Sequence, residues 1–253
     1  MQYMRFRPQG VQVPELTYVK DGKRIVIQGA VHIGSKKFYE KILDRMKGFD
    51  GEVHLEGVRP KVDEEGNIIK NPELLDNVYG LTASVANLSF QKQYIHRDLA
   101  NMRKFFNHDL SMEDMKDAKI DEKIMEELKE NFSEYKKRIL TSPALFLGAS
   151  PLFNILMMAV GASDVKLDNE HIILHQRNNY AMDKAFETES DVYLFWGAKH
   201  IDGMNRILVD HGYEMVGKRW ETVIPNLRIR DVFSNDKKRT VENYINKIEE
   251  LLV

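Results

Sequence analysis

Residues 24–33 read RIVIQGAVHI, an apolar β-branched run that closes on Gly29-Ala30-Val31-His32-Ile33. β-Branched side chains suit a pleated surface, and an apolar run without alternation suits a strand covered on both faces. A helix is predicted from Ser35, because Phe38, Ile42 and Met46 recur at helical spacing. GEVHLEGVRP at 51–60 then reads as a second short strand ending before Pro60. Strand, helix and strand at this spacing predict a right-handed βαβ unit with parallel strands.

The strand signal returns far along the chain, at DVYLFW (191–196), and runs into Gly197 and His200. A short helix to Asp210 follows, with His211-Gly212 as its stop. Strands are expected near Tyr213–Val216 and Thr222–Ile224, and Val241, Tyr244, Ile245, Ile248 and Leu252 mark a closing amphipathic helix. Between the two strand regions, VRPKVDEEGNIIKNPE (58–73) reads as an exposed excursion, with Asn71-Pro72 as cap and first position of a helix. From there to about residue 187 the pattern is almost wholly helical, including an Ile124, Leu128, Phe132, Tyr135, Ile139 stripe. The expected architecture is therefore α/β: one domain over 1–253, with a mixed, largely parallel sheet from both chain ends and a mostly helical insertion over 71–187.

Composition narrows the function. With 37 Lys and Arg against 39 Asp and Glu, mixed along the chain, there is no basic field for nucleic acid. The absence of cysteine removes disulfides, thiolate nucleophiles and thiolate-held zinc, so any metal must rest on His, Asp and Glu. The N-terminus, polar and broken by Pro8, does not read as a signal peptide. Ala144–Gly161 is the most apolar stretch, but Ser150, Pro151 and Asn154 interrupt it, which favours buried helix over a membrane span. Within it, Phe146, Leu147, Leu152, Phe153, Leu156, Met157 and Met158 suit core packing better than a ligand groove. A cytoplasmic protein without an integral membrane segment is expected, with a homodimer left open. No Gly-x-Ser-x-Gly elbow, phosphate loop or dinucleotide fingerprint is present.

Gly29-Ala30-Val31-His32-Ile33 and Gly197-Ala198-Lys199-His200-Ile201 match at four of five positions. Each closes a strand and precedes a helix, which puts His32 and His200 at the carboxyl edge of the sheet, where open α/β sheets bind ligands. The preceding glycine allows a close backbone approach or an unusual φ. Glu56 ends its own strand at the same edge, and strand alternation puts Glu52, His54 and Glu56 on one face, Val53 and Leu55 on the other. His32, Glu56 and His200 could hold a divalent ion (Zn, Mn, Co or Fe), or one histidine could act as general base with Glu56 orienting it. Arg177 falls on the inward stripe of its helix and needs an acid, for which Glu56 is the expected partner. Arg59, just beyond Glu56, is a candidate to bind a substrate carboxylate or phosphate. His171 and His175 have ligand spacing but lack the glutamate of a zinc-protease helix, and read as solvated.

GAVHIG (29–34), LEGVRP (55–60), FNHDLSMED (106–114), QRNNYAM (176–182) and GAKHIDGM (197–204) together resemble, in order, the signatures of the TraB/PrgY and Tiki proteins. These are grouped with erythromycin esterases and ChaN-like proteins. The resemblance implies an EreA/ChaN-like α/β fold with a helical insertion, and divalent-metal-dependent peptide cleavage using His32, Glu56 and His200, with Arg177 as the family's helix arginine. It also implies a peptide substrate. The chain departs from the pattern in ending on a soluble amphipathic helix where many members carry membrane segments. Three functions are thus expected in order: a metal-dependent hydrolase, most simply a peptidase; a metal-independent esterase or amidase with a His base; and a peptide-sequestering or haem-binding protein.

Overall fold

The computed structural model describes residues 3–57, 61–62, 68–70, 73–95, 104–110, 120–141, 170–225 and 238–252. Arg59, Asn71-Pro72 and the apolar Ala144–Gly161 segment lie outside them. The chain opens with β1 (Arg5–Arg7), β2 (Gly10–Lys20), β3 (Lys23–Ala30) and β4 (Ile33–Gly34), then α1 (Lys36–Gly48) and β5 (Glu52–Leu55). It continues through β6 (Lys61–Val62), β7 (Ile68–Lys70), α2 (Glu73–Val85), β8 (Ser89–Phe90), α3 (Gln91–Tyr94), β9 (Phe105–Asn107), α4 (Ile120–Thr141) and α5 (Glu170–Glu187). β10 (Val192–Gly197), a 3-10 turn at Ala198–His200, α6 (Ile201–Asp210), β11 (Glu214–Pro225) and α7 (Lys238–Leu252) complete it.

The main sheet has seven strands in the order β1-β2-β3-β10-β5-β9, with β11 pairing β2 along its other edge. β3, β10, β5 and β9 run parallel, whereas β2 is antiparallel to β1, β3 and β11. This is a mixed, largely parallel α/β sheet drawn from both ends of the chain.

β3, α1 and β5 supply the expected strand, helix and strand with parallel strands, and β10 inserts between β3 and β5: Val192 pairs with both Ile25 and Glu52. The two strands expected near residues 213–224 are one strand, β11, whose register shifts at Met215/Gly217 and Thr222/Ile224 break the period-2 pattern. β2, not foreseen in the sequence, contains Pro14, which pairs in register with Trp220 of β11 and falls one residue outside the β2–β3 register that begins at Glu15–Gln28. The hairpin signal was Asp21-Gly22, a two-residue loop with both residues at positive φ, as a type I′ turn requires. Among the described residues between 73 and 187, most belong to α2, α3, α4 and α5, but β9 returns to the sheet and β8 pairs with β4.

Strand alternation divides two apolar cores. Val26, Val53, Leu55, Tyr193 and Phe195 pack with buried residues of α1, α2, α4 and α7 on one face. Ile25, Ile27, Val192, Leu194 and Trp196 pack with Ala181, Met182 and Ala185 of α5 and Ile201, Met204 and Leu208 of α6 on the other. Each such fully buried side chain contributes roughly 1.5–3 kcal/mol from burial. Helix starts follow local chemistry: Ser35 caps α1 by accepting from the Phe38 N–H at 3.2 Å. No helix among the described residues is long and apolar enough to cross a membrane.

β5 enters the sheet through Gly51, at φ +144°, where an added Cβ would run into the Asp191 carbonyl that receives the Glu52 N–H at 2.9 Å. A side chain there would be strained and would collide with that carbonyl. Gly51→Ala is expected to lower stability by more than about 1–3 kcal/mol, measured by denaturant unfolding against Gly48→Ala, whose added methyl meets nothing within 4 Å.

Candidate active site at the carboxyl edge of the sheet

The four parallel strands end together, and their last turns converge. β3 delivers His32, β5 delivers Glu56, the turn after β9 delivers Asp109, and β10 delivers His200. The two echoing segments therefore leave neighbouring strands, offset by one residue, since Ala30 pairs with Gly197.

Glu56 lies on the α5 side of the sheet, as strand alternation requires, and Arg177 of α5 reaches down to it. Arg177 Nη2 donates to Glu56 Oε1 at 2.6 Å and to Asp109 Oδ2 at 2.7 Å, while Nε donates to Asp109 Oδ1 at 2.9 Å. The side chains of Arg177, Glu56 and Asp109 are only 13%, 11% and 0% exposed. Glu56 is thus the partner expected for the inward arginine, and Asp109 is a second acid that sequence reasoning missed. Its one signal was its place in FNHDLSMED; pairing across 68 residues cannot be read from periodicity. Asp109 also accepts from the Gly57 N–H at 3.0 Å and the Leu110 N–H at 2.8 Å. Burial alone would raise the Glu56 pKa, but Arg177, His200 and His32 hold it well below the usual carboxylate range. Burial opposes the Arg177 charge too, and its two acids more than reverse that, raising its pKa.

His200 is buried and fixed from both ends: Nδ1 meets Asn178 Oδ1 at 2.6 Å and Nε2 faces Glu56 Oε1 at 3.4 Å. Asn178, also missed, stands beside Arg177 in QRNNYAM. Two glycines make room for this packing. The Gly197 N–H donates to Glu56 Oε2, and a Cβ on Gly197 would stand 2.8 Å from that oxygen. A Cβ on Gly203 would strike the Asn178 amide nitrogen. Gly197 has an ordinary negative φ of −49°, so close approach, not unusual backbone, is its role. Gly29, within β3, lies close to Val13 and Pro14 of the neighbouring β2 and makes no contact with Glu56 like that of Gly197.

His32 differs from His200. Its ring keeps a solvent-accessible face while protein crowds it elsewhere, and it stacks on Tyr79 of α2 with centroids 5.0 Å apart and planes 15° apart. Its backbone is pinned by β4–β8 pairing and by the Gln91 N–H, 2.8 Å from the His32 carbonyl. Desolvation lowers its pKa; Glu56 and Asp76 pull upward, while Arg177 and His200 pull downward. The net effect is a neutral imidazole at neutral pH.

A divalent ion on His32, Glu56 and His200 would have to share the Glu56 carboxylate with protein donors. Both Glu56 oxygens are committed, to Arg177 and His200 on one side and to the Gly197 N–H on the other. Among the described residues, the group that brings three ligand atoms within 4.8 Å of one another is instead Glu52, His54 and His108. His175 is exposed, 3.3 Å from Asn179, as a solvated helix histidine should be.

Arg177→Ala would leave two buried carboxylates without their cation and is expected to cost about 3–5 kcal/mol in urea unfolding, with Arg177→Lys recovering only part of it because an ammonium lacks the planar fork. Comparison of the chain with protein-family models, with curated proteins and with solved structures gave no significant match, so the likeness to TraB/PrgY and Tiki proteins rests on the motifs themselves.

Proposed function

We propose that this protein is a hydrolase of amide or ester bonds, with peptides as the favoured substrates, in which His32 is the general base. The observation that carries the reading is the contrast between the two histidines. His200 is buried and tied to Asn178 and Glu56, whereas His32 is open to solvent and neutral, the state a base needs. The likeness to TraB/PrgY and Tiki proteins supports the peptide preference, and a cytoplasmic location belongs to the same reading.

In the proposed reaction His32 accepts a proton from water as the water oxygen bonds to the substrate carbonyl carbon. Charge then develops on the carbonyl oxygen, in the field of Arg177, whose Nη1 lies outside its three bonds to Glu56 and Asp109. The carbon–nitrogen or carbon–oxygen bond breaks, and His32 returns the proton to the leaving group. Glu56 holds Arg177 and His200 in place throughout. In the metal-assisted version His32, Glu56 and His200 would hold an ion that supplies an activated water, with Glu56 sharing its oxygens between that ion, Arg177 and the Gly197 N–H.

Peptide p-nitroanilides and p-nitrophenyl esters provide the assay. His32→Ala is expected to lower turnover by about 100- to 10,000-fold with the fold retained, and wild-type turnover is expected to survive chelation. Loss of turnover on chelation, restored by a divalent ion, would select the metal-assisted version. Tight capture of peptide without product would remove hydrolysis altogether.

The pH profile offers a separate check. The acid limb of kcat/KM should lie below the ordinary histidine pKa of about 6.5, because the fold favours neutral His32. Asp76 pulls that pKa upward, so Asp76→Asn should move the limb to still lower pH.

A further inference from the structure

On the same face of β5 as Glu56, two and four residues earlier, begins a second group of chemistry-bearing side chains that the proposed reaction does not use. His54 Nε2 is 3.0 Å from Glu52 Oε2, and the His54 and His108 rings stand 4.4 Å apart at 80°. One carboxylate oxygen and two imidazole nitrogens, one from each residue, fall within 4.8 Å of one another. Two ligand atoms each about 2.0–2.1 Å from a tetrahedral zinc ion sit roughly 3.4 Å apart, so this group needs little movement to close on a cation.

The His54 side chain is 0% exposed, and its Nδ1 has no hydrogen-bond partner among the described residues. A buried ring nitrogen without a donor is uncommon and calls for an explanation. The Glu52 carboxylate is oriented from outside the group, since the Thr188 hydroxyl donates to Oε1 at 2.7 Å, in the way outer partners orient metal ligands.

We infer that Glu52, His54 and His108 form a divalent-cation site for an ion of the zinc or cobalt class, structural in role and separate from the Glu56 cluster. His54 and Glu56 are two residues apart along the chain, about 7 Å in extended backbone, so the ion lies beside the Glu56 cluster and ties β5 to the turn after β9. The protonation states agree with this placement. Desolvation pushes His54 down to about 4, leaving it neutral. Burial would raise Glu52, but its bonds to His54 and Thr188 hold it below its usual value, as an anion. The opposing charge is Lys23, which interacts electrostatically with both residues and is itself held by the Ala185 and Thr188 carbonyls at the end of α5. Asp109, next to His108, keeps its own hold on the Gly57 and Leu110 N–H groups. Loss of the ion should therefore be felt as lost stability rather than lost chemistry.

The test is calorimetric titration of chelator-stripped full-length protein with Zn2+, together with Co2+ titration followed by visible absorption. Saturable uptake of one equivalent and the d–d bands of tetrahedral Co2+ are expected, with a higher Tm for the loaded protein. His108→Ala, at a partly exposed position that the fold tolerates better than a change at His54, should weaken uptake by at least about 100-fold, whereas His200→Ala should leave it unchanged. Absence of saturable uptake, or uptake that survives His108→Ala, would overturn the site. So would uptake abolished by His32→Ala and not by His108→Ala. Because the readout is binding, the result is independent of whether the protein hydrolyses anything.

Discussion

Arg177 carries a full positive charge into a place where water scarcely reaches, and the cost of leaving it unpaired dictates what surrounds it. A guanidinium so desolvated needs carboxylates in good geometry, and it has two, one facing it through a planar fork and the other end-on. Those acids come from β5 and from the turn after β9, while the arginine comes from α5. One charge therefore locks a helix to two strands of the sheet. The cluster carries one more negative than positive charge, and that surplus lies beside two imidazoles, fixing His200 and setting the field felt by His32.

The parallel part of the sheet makes this convergence possible. Strands that run the same way end at the same edge, so residues far apart in the chain become neighbours without any loop having to reach across. The insertion of β10 between β3 and β5 is the decisive step, because it sets the second Gly-Ala-x-His-Ile segment beside the first and next to Glu56. The two glycines that look alike in sequence then do different work. Gly197 admits the Glu56 carboxylate to its own N–H, whereas Gly29, in β3, lies close to Pro14 of the adjacent β2.

Much of this was legible beforehand, wherever the controlling force is local. The β-branched run of β3, the spacing of Phe38, Ile42 and Met46, and the alternation of β5 each report which face a side chain must take. On that ground alone Glu52, His54 and Glu56 were separable from Val53 and Leu55. Arg177 was legible for the same reason: an inward charge demands an acid. What escaped was whatever needed a partner from elsewhere. Asp109 is one of many acids until β9 brings it beneath Arg177, and Asn178 is one half of an Asn-Asn pair until α6, with no side chain at Gly203, allows it to meet His200.

By itself, then, the sequence determined the class of fold, the sheet-edge placement of His32, His200 and Glu56, and the need for a counter-charge to Arg177, since periodicity and desolvation act within single elements. Only the tertiary structure decided that β10 lies between β3 and β5, that Glu56 is spoken for by Arg177 and a backbone N–H, and that the two histidines of the repeated segment differ, one clamped and one open. Strand order and the sharing of hydrogen bonds are set by packing between distant segments, where many sequences with the same local pattern would settle differently.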